Sequence, residues 1–581
     1  MTSTSTTSSA PAWRIAVIGV VAALAVGIGL VLGSAMLQTR VTLVGSGASY
    51  VPASAPLYFE VRLEPSDPQD AALREFLGHF PEIEGIDLGQ PLYGQLTAKL
   101  DETLAQEGTD ISWAADVEPW FDGHVGFAML DFPATDLDGT EMPEAPSAAV
   151  MLGVDDRAAA EASIDRIVAA SEVPVTFSEQ EHAGVTIHVD EESGSAYALA
   201  DDQLLLAPAA DDIVAALDAH ANSSTTLSEA GSFATMTDGL PDEWLAFGVY
   251  DFSGLLARAL EGEAAASPGA EAMRDLLADQ PMRGALALTV EGDRVSVPMV
   301  SDPPSGPFAA TNTDRGLADE VPGDALYYAE GGNVGTSLAA VIGSVKESVA
   351  AMPEGAQQLE MVESALGGPV EEQVAWMGDV ATAAGYDGEQ PWGGAIIVPT
   401  NMEEARRTMS QLTTFAGLAT LDPSIGITVE ERDVDGQEIT SVRWSDPARP
   451  SEPPASDMPM PFAPTEVVVE WAVTDDRVLL GVGDRFVEMA LGQDAADSLA
   501  EAPRFTDAVD ELGGSSNAGV TWVDVRGLRI AVETALGDLD PAELESYRAE
   551  VLPWLEPLDR LVSVARLDGD LLRTESVLLV D

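Results

Sequence analysis

The sequence predicts an α+β protein in which an N-terminal transmembrane helix precedes two tandem repeats of antiparallel sheet with packed helices. Three observations predict it. An uncharged apolar run occupies residues 15–37, a Val-Pro-Tyr pattern occurs twice about one domain length apart, and a strand pair with a Gly-Asp turn closes each half. Strands paired across short turns, with helices between them, are typical of antiparallel sheets covered on one face.

The first predicted element is the run from Ile15 to Leu37, which holds no charged residue. A helix of this run is about 34 Å long, enough to cross a hydrocarbon core of roughly 30 Å. A signal peptide is the alternative, but its apolar region is usually about 7–15 residues long, and no convincing A-x-A cleavage site follows the run. We therefore expect an uncleaved anchor, with residues 1–14 as a short cytoplasmic tail and the remainder outside the cytoplasm. Arg14 and Arg40 flank the run evenly, so positive-inside counting does not decide the orientation.

The repeated pattern starts in two stretches, VPASAPLYFEV from Val51 and VPGDALYYAEG from Val321. Each half continues with predicted helices, a Trp, an apolar strand leading into a helix, and a hairpin whose turn contains Gly. In the second half that helix has one apolar face, which consists of Met402, Ala405, Met409, Leu412 and Ala416. The same order of elements in both halves indicates a duplication.

The clearest internal match is YALADDQLLLAPAADDIVAAL from Tyr197 against WAVTDDRVLLGVGDRFVEMAL from Trp471. Both stretches place an Asp-Asp pair between two apolar strands and follow the second strand with a helix. Asp tolerates the positive φ that tight turns need, so the pattern strand, Asp-Asp, strand, helix is physically coherent.

These matches give the domain boundaries. We predict a first repeat over 48–305 and a second over 318–581, separated by a linker at 306–317 that is rich in Pro, Gly and polar residues. Residues 445–464 are expected to form a Pro-rich insertion loop in the second repeat, because their Pro content favours an extended, exposed segment.

Composition limits the partners. The chain carries 98 Asp and Glu against 27 Lys and Arg, a formal net charge of −71, and no Cys. Nucleic acids need a cationic face, so we predict no nucleic-acid binding and only weak, nonspecific attraction of cations. Without Cys, disulfides, thiolate nucleophiles and Cys-ligated zinc are impossible.

The sequence offers no coherent set of catalytic residues. It contains no G-x-S-x-G elbow, no H-E-x-x-H and no phosphate-binding G-x-x-x-x-G-K-[ST] loop. Paired carboxylates could serve a glycosidase, but any such pair is expected by chance among so many acidic residues. The catalytic residues therefore stay unknown, and we expect no cofactor.

The sequence contains candidate ligands for two kinds of metal site. His182 and His188 flank a predicted turn with Glu179, Glu181 and Asp190 nearby, a set from which a His₂-carboxylate site is conceivable. Exposed polar positions on an acidic sheet explain these residues better, because the second half has Arg432 and Ile439 near the equivalent places. The Asp-Gly loops at Asp136, Asp433 and Leu567 lack the twelve-residue ligand pattern of a calcium loop, and turn chemistry accounts for them. We therefore predict no metal site.

Aromatic residues cluster in two places, Trp113 with Trp120 and Phe121, and Tyr327 with Tyr328. Such clusters pack cores or form platforms on which sugars and peptides stack. We favour core packing for both.

The order of anchor, small-residue turn, P-x-x-x-x-x-Y strand and α+β halves resembles an uncharacterised bacterial family of membrane-anchored proteins classed as a domain of unknown function. The residues that carry the resemblance are Pro52 with Tyr58, Pro322 with Tyr328, and the two Asp-Asp hairpins. It implies a domain that faces the cell envelope, and it brings no catalytic residues.

The functional hypothesis is a single-pass membrane protein, tethered by residues 15–37, whose extracytoplasmic part binds or scaffolds an envelope protein or ligand without catalysis. Two alternatives stay open. A pair of buried carboxylates in a water-filled cleft would favour an envelope hydrolase, and an apolar tunnel lined by Leu, Val and Met would favour a carrier of an apolar ligand.

Overall fold

A computed structural model describes residues 47–83, 85–106, 111–131, 147–170, 176–222, 226–253, 276, 280, 282–350, 352, 355–388, 390–421, 426–434, 436–445, 466–493, 495–535 and 541–581. The predicted tail at 1–14, the predicted transmembrane helix at 15–37 and nearly all of the predicted loop at 445–464 lie outside these residues. Within them, no helix has both the length and the apolar character to cross a membrane. The α+β class with extensive antiparallel sheet is confirmed.

The strands, in chain order, are β1 (Leu57–Arg62), β2 (Phe121–Asp131), β3 (Ser147–Val154), β4 (Phe177–His182), β5 (Val185–Asp190), β6 (Ala196–Leu199), β7 (Gln203–Ala207), β8 (Ala246–Asp251), β9 (Arg283–Glu291), β10 (Arg294–Ser301), β11 (Thr313–Asp314), β12 (Tyr327–Gly331), β13 (Met377–Tyr386), β14 (Pro391–Pro399), β15 (Ile427–Val434), β16 (Gln437–Ser445), β17 (Glu466–Val473), β18 (Val478–Val482), β19 (Ser516–Asn517), β20 (Gly519–Val523), β21 (Leu558–Asp568) and β22 (Leu571–Val580).

The α-helices of the described residues are α1 (Asp67–Leu77), α2 (Leu92–Gln106), α3 (Trp113–Asp116), α4 (Arg157–Ala170), α5 (Ala210–Ala221), α6 (Gly231–Thr237), α7 (Val334–Ala350), α8 (Gly355–Leu366), α9 (Met402–Ala419), α10 (Phe486–Gly492), α11 (Pro503–Glu511), α12 (Val525–Ala535), α13 (Pro541–Glu550) and α14 (Leu552–Leu555).

The described residues divide into two compact units. The first unit contains Gly47 to Pro304 together with 568–581, and the second unit contains 305–567. The last strand, β22, therefore belongs to the first unit, whereas the predicted second repeat of 318–581 includes it. The physical reason is its pairing: β22 lies antiparallel to β10 from Arg294 opposite Leu579 to Ser301 opposite Leu572.

In the first unit the strands follow the order β4-β5-β6-β7-β3-β2-β1-β8-β9-β10-β22, and every neighbouring pair is antiparallel. The β4–β5 hairpin turns at Ala183 and Gly184, with φ of 50° and 84°. Positive φ at both central residues suits the twist of a two-residue hairpin. Asp201 and Asp202 form the turn between β6 and β7, as the sequence predicts.

In the second unit the order is β15-β16-β17-β18-β14-β13-β12-β20-β21, again antiparallel throughout, with β11 and β19 forming a separate two-stranded ladder. Asp475 and Asp476 occupy the turn between β17 and β18. Nine strands correspond in position, with β12 in the place of β1, β13 in the place of β2 and β20 in the place of β8. Strands β10 and β22 extend the first order beyond these nine.

Local chemistry explains the central elements. Strand side chains alternate between faces, so β1 buries Tyr58 and Glu60 while Leu57 and Phe59 stay partly exposed. Helix α9 starts after Asn401, whose side-chain oxygen accepts hydrogen bonds from the first-turn N–H groups. The core of the first unit therefore lies on the face of β1 that also carries the buried glutamate.

Candidate functional site

The register of the β4–β5 hairpin separates the two histidines considered as metal ligands. His188 lies opposite Glu179, and His182 lies opposite Val185. Residues 179 and 182 are an odd number of positions apart, so the two histidines point to opposite faces. His182 Nε2 lies 2.6 Å from Asp218 Oδ1, while His188 stacks on Tyr197 at 4.6 Å. No group of three or more metal-ligating side chains occurs among the described residues.

The Asp-Gly loops behave as turns where the structure describes them. Asp433 Oδ1 accepts a hydrogen bond of 3.1 Å from the Gly436 N–H, which closes the β15–β16 hairpin. Asp136 lies outside the described residues. Leu567 is the penultimate residue of β21, which ends at Asp568 just before Gly569, whose φ is 63°.

The aromatic clusters pack mostly into cores. Trp120 and Phe121 are buried together with Trp113 beside them, and Trp120 Nε1 donates to the Asp116 carbonyl. Tyr328 is fully buried, whereas Tyr327 on the other face of β12 is exposed.

The buried tyrosines lead to a pair that occurs once in each unit. On β1 the Tyr58 hydroxyl donates to Glu60, and on β12 the Tyr328 hydroxyl donates to Glu330. Tyrosine and glutamate are two residues apart on a strand, so both point to the same face, where both are buried. Each unit therefore buries a tyrosine-paired glutamate at the equivalent place on its strand.

Burial controls the protonation of these groups. Removal from water raises the pKa of Glu60 and of Glu330, although the hydrogen bond from the neighbouring tyrosine acts in the opposite direction. Burial also raises the pKa of Tyr328, and the charge of Glu330 raises it further. The tyrosine therefore stays a hydrogen-bond donor.

In the second unit the pair adjoins a buried arginine. Arg315 is held by three bonds: Nε donates to the Asn517 carbonyl at 3.2 Å, and Nη2 donates to the carbonyls of Ala518 at 2.9 Å and Thr311 at 3.4 Å. Its side chain is 3% exposed, and Nη1 lies 3.8 Å from Asp379. The positive charge of Arg315 lowers the pKa of Glu330 against the larger effect of burial.

A cavity of about 170 Å³ opens beside this arrangement. Its wall is formed by polar groups on one side and apolar side chains on the other, including Arg315, Glu330, Asn517, Tyr328, Phe505 and Val509. The exposed carboxylates of Asp319 and Asp510 stand at its edge. The cavity therefore combines a buried cation, a carboxyl of raised pKa, an amide and an apolar wall.

Two polar atoms of this wall have no hydrogen-bond partner among the described residues, Asn517 Oδ1 and Arg315 Nη1. Asn517 is 1% exposed, and its Nδ2 donates to the Gly514 carbonyl at 3.0 Å. A buried acceptor or donor left unpaired costs about 1–3 kcal/mol. A ligand that supplies one donor and one acceptor would remove both costs.

The sequence contains part of this site. Both stretches that open the repeats carry Tyr-x-Glu, so the repeated pair could have been found from them. Arg315 falls in the predicted linker and Asn517 in a Gly/Ser loop, and no pattern joins two residues so far apart in the chain.

The model of the family described as "Protein of unknown function (DUF3352)" matches residues 15–561, so the chain belongs to this family. No curated protein matches the chain.

Two solved structures are similar, "Structure of crystal form III of TP0453" and "Structure of crystal form I of TP0453". Their identities are 9% and 8% and their TM-scores 0.21 and 0.18, and each comparison covers 44% of this chain and 78% of the other. Likeness at this level carries no argument about fold or function.

Proposed function

We propose that this protein is a single-pass, membrane-anchored, extracytoplasmic protein of two tandem α+β repeats that binds a small ligand without catalysis. The apolar run at 15–37 supports the anchor. The matching strand orders and the two Tyr-x-Glu pairs support the duplication.

The observation that carries the binding function is the pair of unpartnered polar atoms in the 170 Å³ cavity of the second unit. Arg315 Nη1 is a donor and Asn517 Oδ1 is an acceptor. A primary amide offers the complementary groups on one carbon, a carbonyl for the arginine and an N–H for the asparagine. The wall of Phe505 and Val509 favours an apolar substituent on that amide.

The electrostatics favour a neutral ligand over a carboxylate. Arg315 already has Asp379 beside it, and Asp319 and Asp510 at the edge repel anions. Glu330 is the one buried carboxyl among the residues that line the cavity. A pair of buried carboxylates would favour the hydrolase alternative, but Asp319 and Asp510 are exposed, so binding explains this geometry better.

Titration with benzamide by isothermal calorimetry tests the proposal. We expect one benzamide per chain, with benzoate binding at least tenfold more weakly because it lacks the N–H donor and carries a negative charge. Asn517→Leu removes the acceptor and fills the space, so it should abolish the heat of binding. Ser516→Leu adds the same side chain at the neighbouring exposed position and serves as the matched control.

Thr506→Trp narrows the cavity from helix α11 and provides a second variant should Asn517→Leu be unstable. Benzamide binding that survives in both cavity variants, or that is absent from the unmodified chain, would refute the proposed site.

A further inference from the structure

The second unit contains another cavity, of about 210 Å³, between helices α8 and α9 and the beginning of β13. Its wall is almost entirely apolar and includes Leu366, Trp376, Met377, Met409, Phe415 and Leu480. These residues do not line the amide-binding cavity. Apolar walls with a few polar groups are typical of small-molecule sites.

Two polar atoms in this wall lack a hydrogen-bond partner among the described residues, Thr408 Oγ1 and Gln411 Oε1. Thr408 is buried at 5% exposure. A helical threonine commonly donates to the carbonyl four residues earlier, and Thr413 and Thr414 do so at 3.1 Å and 2.9 Å. Thr408 lies on the same helix and lines the cavity, but its hydroxyl makes no such bond among the described residues.

The entrance is apolar as well. The sequence predicts that Leu412 belongs to the buried face of α9, but the structure leaves Leu412 38% exposed and Phe415 52% exposed. Met409 and Ala405, one and two turns earlier, are buried as predicted. Both exposed residues line the cavity.

We propose that this cavity binds a small apolar alcohol or phenol. A hydroxyl group both donates and accepts, so a single one satisfies Gln411 Oε1 as an acceptor and Thr408 Oγ1 as a donor. The ring or chain of the ligand lies against Trp376, Met409 and Phe415. This inference does not depend on the amide site, because the two cavities share no residue.

Matched probes, 1-naphthol and naphthalene, test the role of the hydroxyl with the full chain. We expect saturable binding of 1-naphthol, followed by its fluorescence. Thr408→Val and Gln411→Met keep the approximate size of each side chain and remove one hydrogen bond, so each should weaken 1-naphthol roughly three- to tenfold. Naphthalene should bind all three proteins equally.

Thr414→Val is the matched control, because Thr414 is exposed on the same helix and does not line the cavity. Leu412→Trp changes the exposed entrance and should block both probes, which keeps the test decisive if a buried variant fails to fold. Failure of 1-naphthol to bind, or equal weakening of both probes by Thr408→Val and Gln411→Met, would overturn the inference.

Discussion

The two units bury the same tyrosine–glutamate pair and surround it differently. Tyr58 lies opposite Val249 on β8, and Tyr328 lies opposite Trp522 on β20. In the first unit Trp244 lies five residues before Val249, and in the second unit Asn517 lies five residues before Trp522. Trp244 fills its position completely at 0% exposure, whereas Asn517 borders a cavity.

The arginine near the buried glutamate also differs between the two units. In the first unit Arg62 follows Glu60 by two residues on β1 and lies over the Trp244 ring at 3.6 Å. In the second unit the equivalent position is Gly332, where a Cβ would lie 2.9 Å from Asp379 and 3.5 Å from Arg315. The missing side chain leaves room for Arg315 to enter from the preceding segment.

A third position near the buried glutamate holds a histidine in the first unit and an aspartate in the second. His124 lies four residues before the partner of Tyr58 on β2, and Asp379 lies four residues before the partner of Tyr328 on β13. Burial alone would lower the pKa of His124, but its bond with Asp122 and the charges of Glu60 and Asp122 raise it. The buried glutamate is thus retained in both units while its surroundings differ as a set, with Trp244 fully buried beside it in the first unit and a cavity beside Asn517 in the second.

The largest expected effect on the free energy of unfolding comes from removing the buried Trp244 ring of the first unit. Trp244→Ala should lower the free energy of unfolding by about 3–5 kcal/mol, because a buried ring is removed and the cavity cannot collapse fully. Urea denaturation followed by circular dichroism measures it. Trp554→Ala, at a side chain 43% exposed, is the control and should cost less than about 1 kcal/mol. Equal losses in both variants would mean that Trp244 does not fill the first site.

An intermediate effect tests whether the two pairs are equivalent. Tyr58→Phe and Tyr328→Phe each leave a buried carboxyl without its tyrosine donor, so each should cost about 1–3 kcal/mol of unfolding free energy. Tyr327→Phe, one residue away and exposed, should change it by less than about 0.5 kcal/mol. If only one of the two buried variants is destabilised, the pairs are not equivalent.

The smallest expected effect is a pH dependence. The pKa of Glu330 is raised in the folded state, so its contribution to stability is complete below the unfolded pKa and is lost as pH rises through the folded pKa. The stability of the unmodified chain minus that of Glu330→Gln should therefore fall with rising pH.

Urea titrations from about pH 5 to pH 8, above the sequence pI of about 4.1, measure this difference. Glu60→Gln should show the same direction, since burial raises that pKa too. A difference that grows with pH would show that the folded protein favours the charged carboxylate.

The sequence predicts the local elements of this fold better than its long-range pairings. The Asp201-Asp202 and Asp475-Asp476 turns were predicted because short-range turn chemistry and strand alternation determine them. The pairing of β22 with β10 was not, because nothing in a strand's own residues specifies a distant partner. Arg315 and Asn517 were missed for the same reason, since 202 residues separate them in the chain.

Nuclear magnetic resonance of the Asn517 side-chain amide in ¹⁵N-labelled protein tests the central claim most directly, that the second unit has a ligand site where the first is filled. Asn517→Leu assigns the resonance by its loss. Added benzamide is predicted to shift this amide in a saturable way and to leave the Trp244 indole N–H unmoved. The account would be contradicted if benzamide left the Asn517 amide resonance unchanged, whether or not the Trp244 indole resonance shifted.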